Sequence, residues 1–240
     1  MFTSEVTMST RTILSVAALS ALLAAVISCK KENPADPVQQ PLIIEEGPPV
    51  TDYDGNVYET VRIGNQTWMA ENLNTRRYSD GTSIQYFEYN DDSANVRVYG
   101  RLYRWAAAMR TAASSNSIPS RVQGASPVGW HIPSDAEWQV LVDNLGGNAV
   151  AGGKLKEAGT LHWASPNAGA TNESKFNALP SGWFDFTGEF RRIGEWSFIT
   201  TSTAPGSYSV YARVLKSDLT SANRGDLHPD DAIPIRCVKD

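Results

Sequence analysis

The clearest pattern of hydrophobic and polar residues lies in residues 126–147. The letters SPVGWHIP at its start predict an extended segment followed by a turn. Four apolar residues then recur at spacings of three and four and share one helical face: Trp138, Leu141, Val142 and Leu145. Ser134 is placed to cap this helix, and Glu137 is placed to close a capping box. The pattern therefore predicts a helix that begins at Ser134 and ends at the glycine pair 146–147.

An alternating pattern predicts a β-hairpin in residues 57–70. Residues 57–63, with the letters VYETVRI, alternate in polarity, and residues 66–70 form the returning strand. Gly64 and Asn65 between them suit a two-residue turn.

The remaining patterns predict helices early and strands late. A second helix is predicted for residues 99–109, whose apolar face comprises Leu102, Trp105, Ala106 and Met109. Residues 74–97 are polar and predict a loop. Beyond residue 161, short apolar runs predict strands joined by long loops, at residues 184–186, 195–200, 208–215 and 233–238. This order predicts one α+β domain over residues 52–240.

Several blocks of this region resemble, in order, the Fibrobacter succinogenes major paralogous domain, a family of bacterial surface and secreted modules. The central block is GWHIPSDAEW, residues 129–138. The others are DGNVY (54–58), VRIGNQTWMAENL (61–73), YGRLYRWAAA (99–108), FNALPSG (176–182), EWS (195–197) and IRCVKD (235–240). The resemblance covers roughly residues 52–240.

The resemblance implies a relative of the C-type-lectin-like and formylglycine-generating-enzyme-like folds. We therefore expect a single C-type-lectin-like domain with two main helices and short antiparallel strands joined by long loops. Many members have Cys where this chain has Ser126, and the resemblance implies that this Cys pairs with the one near the C-terminus. Here Cys237 keeps its place, and we expect a buried, unreactive thiol.

The first 28 residues predict a lipoprotein signal peptide. Arg11 precedes an apolar run, residues 13–27, which is shorter than the about 20 residues of a membrane-spanning helix. The run ends in VISC, which resembles the bacterial lipobox, so Cys29 is the predicted attachment site for diacylglycerol and an acyl chain such as palmitate. An ordinary signal peptide with a chance Cys is the alternative, and either Met1 or Met8 fits as the start.

Residues 29–51 contain five prolines and predict an extended tether. Together with Cys29, they predict a protein anchored by lipid in the outer membrane of a Gram-negative bacterium, on the periplasmic or extracellular face.

The charge pattern gives no indication of nucleic-acid binding, and we predict no nucleic-acid partner. The 21 basic and 26 acidic residues give a net charge of −5, and the basic residues form no stripe. Hydrophobic residues make up 41% of the chain, which is enough for a core.

Motifs of known catalytic chemistry are absent from the sequence, so we predict no catalytic residues, no cofactor and no metal. The three histidines lack zinc-site spacing, and neither a nucleophile elbow nor a phosphate loop occurs. Asp52, Asp54 and Asn56 match only the opening of a calcium loop, and we interpret them as a tight turn. The calcium-binding tripeptides of sugar-binding C-type lectins are absent, as is the cysteine pair of formylglycine-generating enzymes.

Aromatic and polar residues in the late loops are the candidate ligand contacts, because aromatic faces stack on sugars and polar groups bind hydroxyls. They are Trp183, Asp185, Trp196, Asn223, Arg224, Asp226 and His228. The alternative is that both tryptophans belong to the core and that residues 226–231 form a solvated loop. Trp130, His131 and Trp138 are interpreted as core and helix anchors, with a ligand role as the alternative.

These features predict a non-catalytic binding domain that recognises a glycan or a protein at the cell surface. A structural role, as an adhesin or a subunit of an envelope assembly, is the second hypothesis. An enzyme of unassigned chemistry is the third.

Overall fold

Two β-sheets organise residues 42–240, the part of the chain that the computed structural model describes. The strands are β1 Ile44–Thr51, β2 Val57–Ile63, β3 Gln66–Met69, β4 Tyr103–Arg104, β5 Trp130–His131, β6 Ser181–Phe184, β7 Phe190–Ile193, β8 Trp196–Thr200, β9 Val210–Lys216, β10 Asn223–Leu227, β11 Ala232–Ile233 and β12 Val238–Lys239. The helices are α1 Ser93–Tyr99, α2 Trp105–Met109, α3 Asp135–Asn144 and α4 Asn148–Leu155, with a single 3-10 turn at Tyr89–Asp91.

Strand order shows how the two sheets share the chain. The first sheet has the order β1-β2-β3-β12-β5, and all its neighbours are antiparallel. The second has the order β10-β9-β8-β6-β11-β4, with β7 paired to β6. Its one parallel pair joins β6 to β8 through Gly182 and Ser197.

The main core lies around three aromatic rings. Trp68 of β3 and Trp138 of α3 have ring centroids 4.8 Å apart, and Phe176 lies 5.9 Å and 5.6 Å from them. Apolar residues of both sheets, including Val61 and Ile199, complete this cluster. The helix α3 therefore anchors both sheets through its buried face.

Two local predictions are confirmed. The helix α3 has Ser134 as its N-cap, and Ser134 and Glu137 form the predicted capping box. The hairpin of β2 and β3 turns at Gly64 and Asn65, with Ile63 opposite Gln66. Both predictions depended only on neighbouring residues, which is why the sequence sufficed.

The predicted fold class is wrong. The domain is mostly β rather than an α+β, C-type-lectin-like arrangement with two main helices, because it contains sheets of five and seven strands and only short helices in residues 42–240. Segments predicted as helix or loop supply strands by pairing with distant residues: β4 lies within the predicted helix 99–109 and pairs with β11, and β10 lies in a predicted loop and pairs with β9.

The second predicted helix, residues 99–109, is also wrong. A helix ends at Tyr99, because Gly100 follows it with a φ of 74°. A Cβ at Gly100 would meet Asn72 and the backbone of Leu73, so the close approach itself requires glycine. The helix resumes only at Trp105, after β4.

The tether and the closing strand differ from the prediction as well. The predicted tether, 29–51, ends in strand β1, so Ile44–Thr51 belong to the first sheet. Residues 233–238 were predicted as one strand, but they contain parts of β11 and β12, which lie in different sheets. The predicted signal peptide 1–28, Cys29 and the start of the tether lie outside the described residues.

Candidate functional site

Two tryptophans from neighbouring strands form the centre of the candidate site. The side chains of Trp183 on β6 and Trp196 on β8 are half-buried, and their ring centroids lie 5.7 Å apart. Both pack on Phe198, whose ring centroid lies 4.8 Å from that of Trp183. The parallel pairing of Gly182 with Ser197 brings the two strands together. The sequence prediction that singled out these two residues thus selected neighbours in space.

The tryptophans lie on the sheet face that points away from the main core. Side chains alternate along a strand, and Ile199 of β8 belongs to the main core, whereas Trp196 and Phe198 do not. Val214 and Leu227 complete the apolar group on this face. We call this half-buried surface the tryptophan face.

Charged side chains flank the tryptophan face. Lys216 of β9 stands opposite Trp196 in the strand pair, and its Nζ lies 3.6 Å from the centroid of a Trp196 ring. Arg191 of β7 stands opposite Trp183 and donates from Nε to Asp185 Oδ2 at 2.7 Å. The face therefore combines aromatic rings, two cations and a carboxylate.

Asp185 has a structural role in addition to this position. Its Oδ1 accepts hydrogen bonds from the hydroxyl and backbone of Thr187 and from the backbone of Glu189, which closes the turn between β6 and β7. The Thr187 hydroxyl, the Glu189 amide and the Arg191 guanidinium hold the pKa of the Asp185 carboxyl below its ordinary value. The carboxylate stays ionised and fixed beside Trp183.

Two polar candidates of strand β10, Arg224 and Asp226, are not on the tryptophan face. Arg224 and Asp226 stand opposite Arg213 and Tyr211, which lie on the other side of β9 from Val214. Arg224 forms an ion pair with Asp135 of α3 at 3.2 Å, and Asp226 accepts from the Ser209 hydroxyl at 3.0 Å.

Asn223 and His228 are likewise engaged elsewhere. Asn223 accepts from Asn148 Nδ2 and donates to Ser221 Oγ, both at 3.0 Å. The His228 ring lies 4.8 Å from the ring of Phe186, and its Nδ1 accepts from the backbone of Asp230. Of the seven candidates, the structure therefore brings together three: Trp183, Asp185 and Trp196.

Sequence reasoning missed Lys216 and Arg191. Lys216 ends the apolar run of β9, and Arg191 lies in a polar segment, so neither position differs from an ordinary surface charge in the sequence. The alternation of Trp196 and Phe198 was the available signal for one exposed aromatic face, but only the strand pairing identifies which charges stand beside it.

His131 has a structural role. It is 1% exposed, and its Nε2 and Nδ1 lie 2.7 Å from Glu137 Oε1 and 2.6 Å from Asp240 Oδ1. Both ring nitrogens are thus occupied by carboxylates, which ties the capping box of α3 to the strand region of β12. The ligand role that the sequence left open for His131 has no support in this geometry.

The turn before β2 also has internal partners. Asp52 accepts from the backbone and side chain of Asn56 and from the Tyr58 hydroxyl, at 3.0, 2.7 and 2.6 Å. Asp54 Oδ2 accepts from Thr75 and from the backbone of Arg76. Residues 42–240 contain no group of three or more metal-ligating side chains. In the same range, no helix has the length and apolar character needed to span a membrane.

Comparison with known proteins identifies one family. Residues 61–239 match the family described as the Fibrobacter succinogenes major domain. No curated protein and no solved structure shows a significant match to the chain.

Proposed function

The chain belongs to the Fibrobacter succinogenes major domain family, and from this membership we propose that it is a non-catalytic binding protein of the cell envelope. The membership is compatible with a secreted or envelope protein. The lipobox-like VISC and the proline-rich segment after it support attachment by lipid at Cys29, and we place the protein in the outer membrane.

The lipid anchor is tested by substitution of its attachment site. Cys29→Ala is expected to abolish both partitioning into a detergent phase and labelling by a radioactive fatty acid. Cys237→Ala is the matched control, since it removes the other cysteine and leaves the lipobox intact. A Cys29→Ala protein that is still labelled would contradict the anchor.

The ligand we propose is a glycan, bound on the tryptophan face. The observation that carries this proposal is the juxtaposition of Trp183 and Trp196 on one half-buried sheet surface, 5.7 Å apart. The apolar C–H face of a sugar ring packs on an aromatic ring, while its hydroxyls need donors and acceptors nearby. Lys216, over the Trp196 ring, and the pair of Arg191 and Asp185, next to Trp183, supply these groups.

A glycan array with the full chain, purified in mild detergent, tests this proposal. We expect a limited set of glycans to bind, and we expect Trp196→Ala to weaken their binding by about tenfold through the lost stacking. Tyr208→Ala is the control, because Tyr208 is an aromatic residue that is 88% exposed and lies outside the tryptophan face. Absence of glycan binding, or equal binding by the Trp196→Ala protein, would reject this function.

Exposed apolar residues favour a second candidate function, a subunit of an envelope assembly. Phe186 and Tyr208 are 60% and 88% exposed, and aromatic residues are enriched in protein–protein interfaces. Cross-linking in intact cells, with the Phe186→Ser protein as the comparison, tests this role. A specific cross-linked partner that is lost in the variant would support assembly over glycan recognition.

A further inference from the structure

A polar groove lies next to the β2–β3 hairpin, independent of the tryptophan face. It comprises two adjoining cavities of about 290 and 300 Å³, which share four lining residues: Asn56, Asn74, Val96 and Arg97. The walls come from the start of β2, from the segment after β3 and from helix α1. We call it the asparagine groove.

A buried cation without a counter-ion lines this groove. Arg236 is 1% exposed and donates from Nε to Asn72 Oδ1 and from Nη2 to the carbonyl of Asn177, both at 3.0 Å, and from Nη1 to the carbonyl of Phe176. Within residues 42–240, no carboxylate lies within ion-pair distance of it. Burial lowers the pKa of the guanidinium to about 9, so it remains charged at neutral pH. A buried charge whose hydrogen-bond partners are all neutral creates a positive potential in the adjoining cavity, which the charge of Glu71 offsets only in part.

A second cation stands at the exposed edge of the groove. Arg97 lies in the last turn of α1, and the described part of the chain offers it no ion-pair partner. The other charges of the groove largely compensate each other. Asp54 lies 3.5 Å from a guanidinium nitrogen of Arg77, and Arg101 pairs with Glu88 at 3.0 Å.

Glu71 is the remaining acid that lines the cavity of about 290 Å³. Two cations, Arg97 and Arg236, face this one carboxylate, and Arg76, which lines the other cavity, shares Asp54 with a second arginine, so the groove carries more positive than negative charge. This imbalance favours an anionic ligand.

The groove also offers hydrogen-bonding groups and an apolar wall. Among the described residues, Asn56 Oδ1 and Asn74 Nδ2 have no hydrogen-bond partner, although the other atom of each amide is engaged. One is an acceptor and the other a donor. Val57 and Val98 are exposed and line the cavity of about 290 Å³ with aliphatic surface.

We propose that the asparagine groove binds a small polar molecule that carries a carboxylate, such as a uronic acid. The carboxylate lies between Arg97 and the positive region around Arg236, where it forms a charge-assisted hydrogen bond with the Arg97 guanidinium. The free amide groups of Asn56 and Asn74 bind hydroxyl or amide groups of the ligand, and the valines cover its C–H surface.

Calorimetric titration of the full chain in mild detergent tests the site with three probes. Glucuronate carries the carboxylate on a sugar ring, glucose has the same ring without the charge, and N-acetylglycine has the carboxylate without the ring. We expect glucuronate to bind in the millimolar range and glucose to bind at least about tenfold more weakly, since it lacks the charge-assisted hydrogen bond. If N-acetylglycine also binds, the carboxylate alone is sufficient for binding at this site. If glucuronate binds and N-acetylglycine does not, the sugar ring contributes part of the affinity for glucuronate.

Variants locate the binding. Arg97→Ala is expected to weaken glucuronate binding by about tenfold, and Arg97→Lys is expected to restore most of it. Arg192→Ala is the matched control, because Arg192 is an exposed arginine of β7, outside the groove. Trp196→Ala is expected to leave glucuronate binding unchanged, which separates this site from the tryptophan face. Equal affinity for glucose and glucuronate, no binding of either carboxylate, or unchanged binding by the Arg97→Ala protein would overturn the proposal.

Discussion

The hydroxyl of Ser126 lies against the thiol of Cys237, and both side chains are buried. Burial raises the pKa of the Cys237 thiol to about 12, while the Ser126 hydroxyl acts in the opposite direction. The Ser126 Oγ makes no well-formed hydrogen bond within residues 42–240. These are the two positions at which the family resemblance implied a disulfide. The two side chains are neighbours in this chain, but they cannot form a disulfide because one of them is serine.

Ser126→Cys is expected to form a disulfide with Cys237 on oxidation. In the chain-entropy model, closure of a loop of about 110 residues raises the free energy of unfolding by about 4–5 kcal/mol. Thermal unfolding with and without reductant, combined with a count of free thiols, measures the effect. Ser126→Ala is the control, and its stability should be close to that of the parent because the removed hydroxyl is poorly paired. Failure of the Ser126→Cys protein to oxidise would show that the geometry is unsuitable for a bridge.

Substitutions at the start of α3 and on its buried face should lower the free energy of unfolding by different amounts. Ser134→Ala removes the cap and is expected to cost about 1 kcal/mol in the free energy of unfolding. Trp138→Ala leaves a cavity beside Trp68 and Phe176 and is expected to cost roughly 3–5 kcal/mol. Gln139→Ala, at an exposed position of the same helix, should change stability by less than about 0.5 kcal/mol. Chemical denaturation of the three variants compares them, and equal small effects of Ser134→Ala and Trp138→Ala would contradict a core role for Trp138.

Stability should decrease at alkaline pH through His131. Burial acts to lower the pKa of His131, but its hydrogen bonds to Glu137 and Asp240 outweigh this effect, so the pKa is raised. Because the folded pKa exceeds the unfolded value, the charged ring stabilises the protein fully below about pH 6.5 and less as the pH rises through the folded pKa. The measurement is the free energy of unfolding from pH 5 to 9 for the parent and for His131→Gln. The difference between the two should shrink as the pH rises, and a difference independent of pH would refute the assignment.

Asp135 is expected to contribute far more to the free energy of unfolding than Arg224, one of its two arginine partners. It lies 3.2 Å from the buried Arg213 and 3.2 Å from the exposed Arg224. Asp135→Ala leaves the guanidinium of Arg213 buried without a counter-ion, which typically costs about 3–5 kcal/mol. Arg224→Ala removes an exposed pair and should cost no more than about 1 kcal/mol. Urea denaturation of both variants tests this order, and a larger loss of stability in Arg224→Ala than in Asp135→Ala would contradict it.

Features that depend on residues close together in the sequence were predicted correctly, whereas features that depend on distant residues were not. The capping box of α3 needs only Ser134 and Glu137, three residues apart, and the hairpin turn needs only two residues. The helix predicted for residues 99–109 failed because Gly100 packs on the backbone of Leu73 and because Tyr103 pairs with Ile233. Neither constraint is visible within a local pattern.

The candidate site shows the same limit. Trp183 and Trp196 were chosen for their chemistry, and their proximity arises from a single parallel pairing between β6 and β8. Arg224 was chosen for the same reason, but alternation along β10 places it on the opposite side of the sheet, beside Asp135. Composition therefore identified suitable side chains, whereas the face that each one occupies depends on strand register.

Strands β11 and β12 belong to different sheets although only four residues separate them. Strand β12 lies between β3 and β5, and strand β11 lies between β6 and β4, so each joins an edge strand to the rest of its sheet. Neither sheet is continuous until residues 232–239 have left the ribosome. The two sheets are therefore complete only once residues 232–239 are in place, and the high proportion of distant pairings favours slow folding. Until residues 232–239 have paired, the unpaired edges of β3 and β6 are exposed to aggregation.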